Sequence, residues 1–158
     1  MVEQYDWSNQ RELMDAVRSF VMQESLFWRK TGTGLLRHDR PEELRSLSKM
    51  ISMAFHASIH DWWVMKQEGG APGALPHFHN HWDTYIYYPT SSDRAISGEG
   101  WVIFPSAGEV VYLPVGTIHG VDDCEEEDGA TRYSCVFLAY PKEYAFISSG
   151  EETQGQET

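Results

Sequence analysis

The sequence predicts an antiparallel β fold, a sandwich or barrel, entered through a helical segment. Three observations carry this. From Met50 onward hydrophobic residues recur with a period of two. The apolar runs are short, evenly spaced and separated by turn chemistry, with no helical stretch between them. Before residue 50 the period is instead helical.

Asn9 to Lys30 reads as a helix. Asn9 can cap it with Glu12 as the capping-box partner. Leu13, Val17, Phe20, Val21 and Trp28 follow helical spacing, Arg29 and Lys30 suit the C-terminal end of the dipole, and Gly32 supplies a stop. A second short helix is expected from Pro41 to about Lys49, with Pro at its first position and Glu42 and Glu43 in its first turn. Ile51, Met53, Phe55, Ala57 and Ile59 then alternate with smaller or polar residues, as in a half-buried strand; Leu47, Met50 and Ala54 also allow a longer helix. Further strands are read at Trp62–Gln67, His77–Tyr88, Arg94–Ser97, Trp101–Phe104, Val110–Leu113 and Arg132–Tyr140. Segments 89–93, 98–100, 105–108 and 122–129 are turns. The expected organisation is a helical extension over 1–49, a barrel over 50–147 and a flexible polar tail over 148–158.

Composition narrows the partners. The chain has 158 residues, enough for one domain, and 13% of them are aromatic, which provides for a substantial core. Twelve Lys and Arg against 24 Asp and Glu give a net charge of −12. Such a surface repels nucleic-acid phosphates and anionic membranes, so neither is expected as a partner. There is no apolar run of membrane-spanning length and no targeting signal at Met1–Gln10. Cys124 and Cys135 form neither a CxxC pair nor a disulfide framework, so a reducing, cytoplasmic setting is expected.

The chemistry is concentrated in His77-Phe-His79-Asn-His81-Trp-Asp83 and in His119. Residues two apart on a strand face one side, so His77 and His79 can point into one cavity. Continued parity would add Asp83, Tyr85 and Tyr87. Imidazole nitrogens and a carboxylate suit a divalent transition ion such as Fe, Mn, Ni, Co or Zn. His81 reads as solvated or packing, His56 and His60 as surface residues, and His38 as part of a loop.

These two segments resemble the two motifs of the cupin superfamily. Gly108, five residues, Pro114-Val-Gly116, two residues, His119, three residues and Asp123 follow the second motif, with Asp at the final Asn position. His77-Phe-His79, three residues and Asp83 follow the first, with Asp for the usual Glu and Thr90 where a Gly would fall. The resemblance covers about residues 50–145 and implies a double-stranded β-helix, or jelly-roll barrel. It implies one metal per chain, most simply Fe(II), held by His77, His79, Asp83 and His119. Asp is shorter than Glu by about 1.5 Å of bond length. Asp83 is therefore either a direct ligand or a residue that orients one of the histidines.

The function this implies is a metal-dependent enzyme acting on a small organic molecule, foremost an Fe(II) dioxygenase. A non-redox lyase, isomerase or cyclase is the alternative, with Tyr85 as base; His-x-His-x-x-x-acid-x-Tyr is similar to the pattern of cupin lyases that cleave dimethylsulfoniopropionate. A ligand-binding cupin without catalysis is the third. Tyr87, Trp63, Arg94 and Tyr133 are the expected substrate contacts, with Met65 beside Trp63, or Trp62 and Val64 instead, along the neighbouring strand. Cupins commonly pair, and the apolar residues of the 9–30 segment exceed what one small barrel needs, so a homodimer is expected.

Overall fold

The computed structural model describes residues 1–142. In chain order these form β1 (Glu3–Asp6), α1 (Arg11–Val21), β2 (Arg29–Lys30), β3 (Leu36–Asp39), a 3-10 turn (Glu42–Leu44) and α2 (Arg45–Phe55). Then follow β4 (Ile59–Gln67), β5 (Ala74–His77), β6 (Asp83–Tyr88), β7 (Ile96–Gly98), β8 (Trp101–Ile103), β9 (Glu109–Leu113), β10 (His119–Val121) and β11 (Arg132–Ala139).

The strands make two sheets. The larger runs β1-β9-β6-β11-β4-β3-β2 and the smaller β5-β10-β7-β8, with every pairing antiparallel. Facing sheets of this topology form a jelly-roll barrel. Between them lies one core, including Ile86, Tyr88, Ile96, Ile103, Leu113 and Val136. A second core fills the outer face of the larger sheet, where Val17, Phe20 and Val21 of α1 and Leu47 and Ile51 of α2 meet Trp62, Tyr85, Tyr87 and Phe137. The larger sheet is therefore a middle layer, and every residue of β6 and β11 is buried. Two apolar faces explain why these strands read as nearly continuous hydrophobic runs.

Several elements differ from expectation. The first helix spans only Arg11–Val21, capped by Gln10 without a side-chain hydrogen bond, so Asn9 is not its cap and Gly32 not its stop. After Met22 the chain turns, and Trp28 packs against the outer core while residues 29–30 pair with β3. Residues 1–49 thus supply three strands as well as helix. Residues 50–55 belong to α2: Leu47, Ser48 and Ile51 are buried at helical spacing, and Met53 is exposed. The helix ends at His56, whose left-handed backbone (φ 51°) turns the chain toward β4. His38 lies on β3, with Nδ1 2.8 Å from the Phe27 carbonyl. The expected tail over 148–158 lies outside the described residues.

Candidate metal centre

β5 and β10 pair so that His77 stands opposite His119. His79 follows β5, and its carbonyl accepts the Gly116 N–H at 3.0 Å. Gly116 has φ +83°, a conformation that favours glycine, and the turn it makes starts the run into β10. Ring centroids lie 4.4 Å apart for His77 and His119, 5.5 Å for His79 and His119, and 5.6 Å for His77 and His79. One ring nitrogen from each lies within 4.8 Å of the others.

The tautomers follow from the hydrogen bonds. His77 Nδ1 lies 2.8 Å from the Leu75 carbonyl and His119 Nδ1 3.0 Å from the Thr117 carbonyl. A carbonyl only accepts, so each Nδ1 carries its proton and each Nε2 presents a lone pair. This is the arrangement by which a second group fixes a metal-ligating imidazole. Burial also favours the neutral form of the His79 and His119 rings. It lowers the His119 pKa to about 4 and is the largest cause lowering that of His79. The three residues thus fit a divalent transition ion on donor chemistry and orientation.

They stand at one end of a cavity of about 80 Å³ between the sheets. Its walls are mainly apolar, with Trp63 and Met65 from β4, Ile86 from β6, Ile96 from β7 and Val136 from β11. Polar side chains come from Thr84, Tyr88, Arg132 and Ser134, and among the described residues no carboxylate lines the cavity. Of the expected substrate contacts, Trp63 is in this wall.

Asp83, Tyr85, Tyr87, Tyr133 and Arg94 are not. The strand expected over 77–88 is interrupted at 78–82, so parity counted from His79 does not reach β6. Thr84, Ile86 and Tyr88 face the cavity, and the alternate residues face the helices. Tyr85 stacks on Phe55 at 4.9 Å between centroids, and Tyr87 is enclosed in the same outer core. Burial raises the pKa of both phenols, that of Tyr87 to about 12. Neither phenol stands beside the histidines, where the lyase reading expected Tyr85. Tyr133 faces the helix side near Trp28, as does Cys135. Arg94 sits in a turn before β7, with Nη2 donating to the Ala130 carbonyl and Nε 3.2 Å from Asp93.

Asp83 lies outside the group of three histidine nitrogens. Its carboxylate accepts from the Val115 N–H at 2.9 Å, the Lys142 N–H at 3.1 Å and the Tyr112 hydroxyl at 3.2 Å. It ties down the turn that bears Gly116, so its link to the histidines runs through backbone. His81 is exposed and His60 stacks on Trp82, both apart from the triad. Arg132, Tyr88 and Ser134 were missed by sequence reasoning. A lone arginine opening an otherwise apolar strand was the available signal.

The fold is the jelly-roll barrel that the resemblance to the two cupin motifs implies. No protein-family model matches the sequence, and no curated protein does. Among solved structures, the chain is similar to HygX from Streptomyces hygroscopicus with nickel and 2-oxoglutarate bound. The identity is 9%, the TM-score 0.71, and the match covers 89% of this chain and 83% of that one. The non-heme alpha ketoglutarate dependent epimerase SnoN from nogalamycin biosynthesis matches at 10% identity and TM-score 0.69, over 89% and 78% of the two chains. KdgF from Halomonas sp. matches at 16% identity and TM-score 0.51, over 78% and 96%. At these identities the likeness is one of fold.

Proposed function

We propose that the protein is a mononuclear metal-dependent enzyme, an Fe(II) dioxygenase acting on a small, largely apolar organic substrate. The observation that carries this reading is the convergence of His77, His79 and His119 on one cavity, with two of the rings oriented by backbone carbonyls. These three residues would hold the ion. Fe(II) supplies Lewis acidity and redox chemistry toward O2. The chain supplies orientation: Trp63, Met65, Ile86 and Val136 exclude water and bind the apolar body, while exposed His77 lies at the open side. The dioxygenase reading is favoured over a lyase because, among the described residues, the cavity has no carboxylate and its one phenol, Tyr88, accepts a hydrogen bond from Arg132 at 3.3 Å. HygX is described with 2-oxoglutarate, which makes this the first co-substrate to assay. The same reading includes a homodimer and a cytoplasmic location, in keeping with two free, buried cysteines. Among the described residues no helix is long and apolar enough to cross a membrane.

The test is metal analysis of protein purified without oxygen, followed by O2-uptake assays. About one iron per chain is expected. His79→Ala should lower metal content at least about tenfold, since loss of even an outer partner of a ligand has effects of that order. Full occupancy in that variant would remove the site. O2-independent turnover with zinc, nickel or manganese would replace the dioxygenase with non-redox chemistry, and a metal-free wild type would leave a binding protein.

A further inference from the structure

Arg132 opens β11 inside the barrel, in the same cavity as the histidines. It is only 2% exposed, yet no carboxylate lies within ion-pair distance of it among the described residues. Among the described residues the side chain's one hydrogen bond is the long contact from Nη2 to Tyr88 Oη, the guanidinium lies 5.4 Å from the centroid of the same ring, and Nε is buried without a partner. Arg94, equally enclosed, is another cation acting on it, whereas Asp122 acts only from a distance. Burial depresses the Arg132 pKa, which is the expected response of a cation that has lost water and gained no anion. A guanidinium cannot escape the penalty by shedding its proton near neutral pH, and buried charges are normally paired. An anionic ligand in this cavity would supply the pair.

The strand register places this group away from the triad. On β10, His119 and Val121 both face the cavity, and Val121 pairs with Ala74, past the His119–His77 pair. On β6 the cavity-facing order is Thr84, Ile86, Tyr88, and Tyr88 is the residue that touches Arg132. Histidines and guanidinium therefore mark opposite ends of one narrow cavity, with apolar wall between them. That wall suits methylene groups, and the arginine end suits a planar acceptor that takes two N–H bonds.

We propose that Arg132, with the hydroxyls of Tyr88 and Ser134, anchors a carboxylate of a small acid whose other end reaches the histidine triad. This rests on the metal-site reading for the far end of the ligand and on Arg132 alone for the near end. The ligand class is a short carboxylic acid with a second polar group a few carbons away.

The probes are malonate, succinate, glutarate and adipate, each with its mono-primary amide, and inorganic phosphate as a simple anion. Binding is measured by calorimetry and thermal shift on the full chain loaded with zinc, so that turnover plays no part. One diacid length should bind best, and its mono-amide should bind at least about tenfold more weakly, the scale of a charge-assisted hydrogen bond. Arg132→Gln should bring the acid down to the amide's affinity while leaving zinc content unchanged. The acid-to-amide comparison uses the unaltered protein, so it stands if that variant fails to fold. Equal binding of acid and amide, undiminished acid binding by Arg132→Gln, or phosphate binding as tightly as the best acid would overturn the proposal. Should the metal reading fail alone, the acids would still bind metal-free protein through Arg132, but without a preferred length. Should the carboxylate reading fail alone, zinc would bind through the histidines while the acids showed no dependence on Arg132.

Discussion

Asp83 and Tyr85 are neighbours in a motif, and the structure gives them roles that depend on side-chain environment. The Asp83 carboxylate has three donors and is 2% exposed. Removing it leaves the Val115 and Lys142 N–H groups and the Tyr112 hydroxyl without that acceptor. Unsatisfied buried groups cost about 1–3 kcal/mol each, and relaxation recovers part of the sum, so Asp83→Ala should destabilise by about 3 kcal/mol in urea unfolding. The folded fraction should keep most of its metal, because no imidazole contacts this carboxylate. Metal loss as complete as in His79→Ala would show instead that Asp83 reaches the ion. Tyr85 has the opposite profile. Its hydroxyl is buried without a partner, so Tyr85→Phe removes a desolvated polar group and keeps the packing against Phe55. Stability should hold or rise by up to about 1 kcal/mol, with turnover unchanged. A hundredfold fall in turnover with metal retained would restore the tyrosine as a base.

At the level of elements, most of the β fold was legible because turn chemistry and alternation agree from Trp62 onward. The second motif was legible for a geometric reason. Its glycines sit at positive φ, Gly108 at +88° and Gly116 at +83°, so the pattern encodes backbone shape directly. Two failures share one cause: strand parity is local. Over 50–55, the alternation coincided with a helical pattern, and burial of Leu47 and Ile51 against the larger sheet decided for the helix. Between His79 and Asp83, a loop broke the count and sent Asp83, Tyr85 and Tyr87 to the helix side. The three histidines survived this because His77 is held by pairing and His79 by the Gly116 N–H. That contact also makes the turn testable. A Cβ at Gly116 meets nothing within 4 Å, so Gly116→Ala introduces backbone strain without a clash. The left-handed conformation costs an L-residue roughly 1–2 kcal/mol. The expected result is a comparable loss of stability together with weaker metal retention against a chelator, since relaxing the turn moves the His79 backbone. Unchanged retention alongside lowered stability would separate the turn from the site.

At the scale of the whole molecule, the layering decides where a second copy can bind. The outer face of the larger sheet is covered by the chain's own α1 and α2, so the apolar residues of the first helix are consumed internally. Among the described residues no helix covers the outer face of the smaller sheet. Leu75 on β5, Val102 on β8, Ile118 before β10 and Phe104 after β8 are 82%, 62%, 54% and 59% exposed. None is charged, on a chain with net charge −12, so this is a face where two copies can meet with little repulsion. A two-fold pairing would bury each patch on its equivalent. A stable interface needs roughly 800 Å² from each partner. The flanking turns would add to it, including Phe78, which is 53% exposed between two of the histidines. Sedimentation at micromolar concentration should give a dimer, and Val102→Glu combined with Phe104→Glu should give a monomer that keeps its metal. A dimer unaffected by both charges would move the interface elsewhere, toward exposed Met22 and Phe27 beyond α1. A monomeric wild type would reject pairing and leave the smaller sheet as a solvated wall beside the mouth of the cavity.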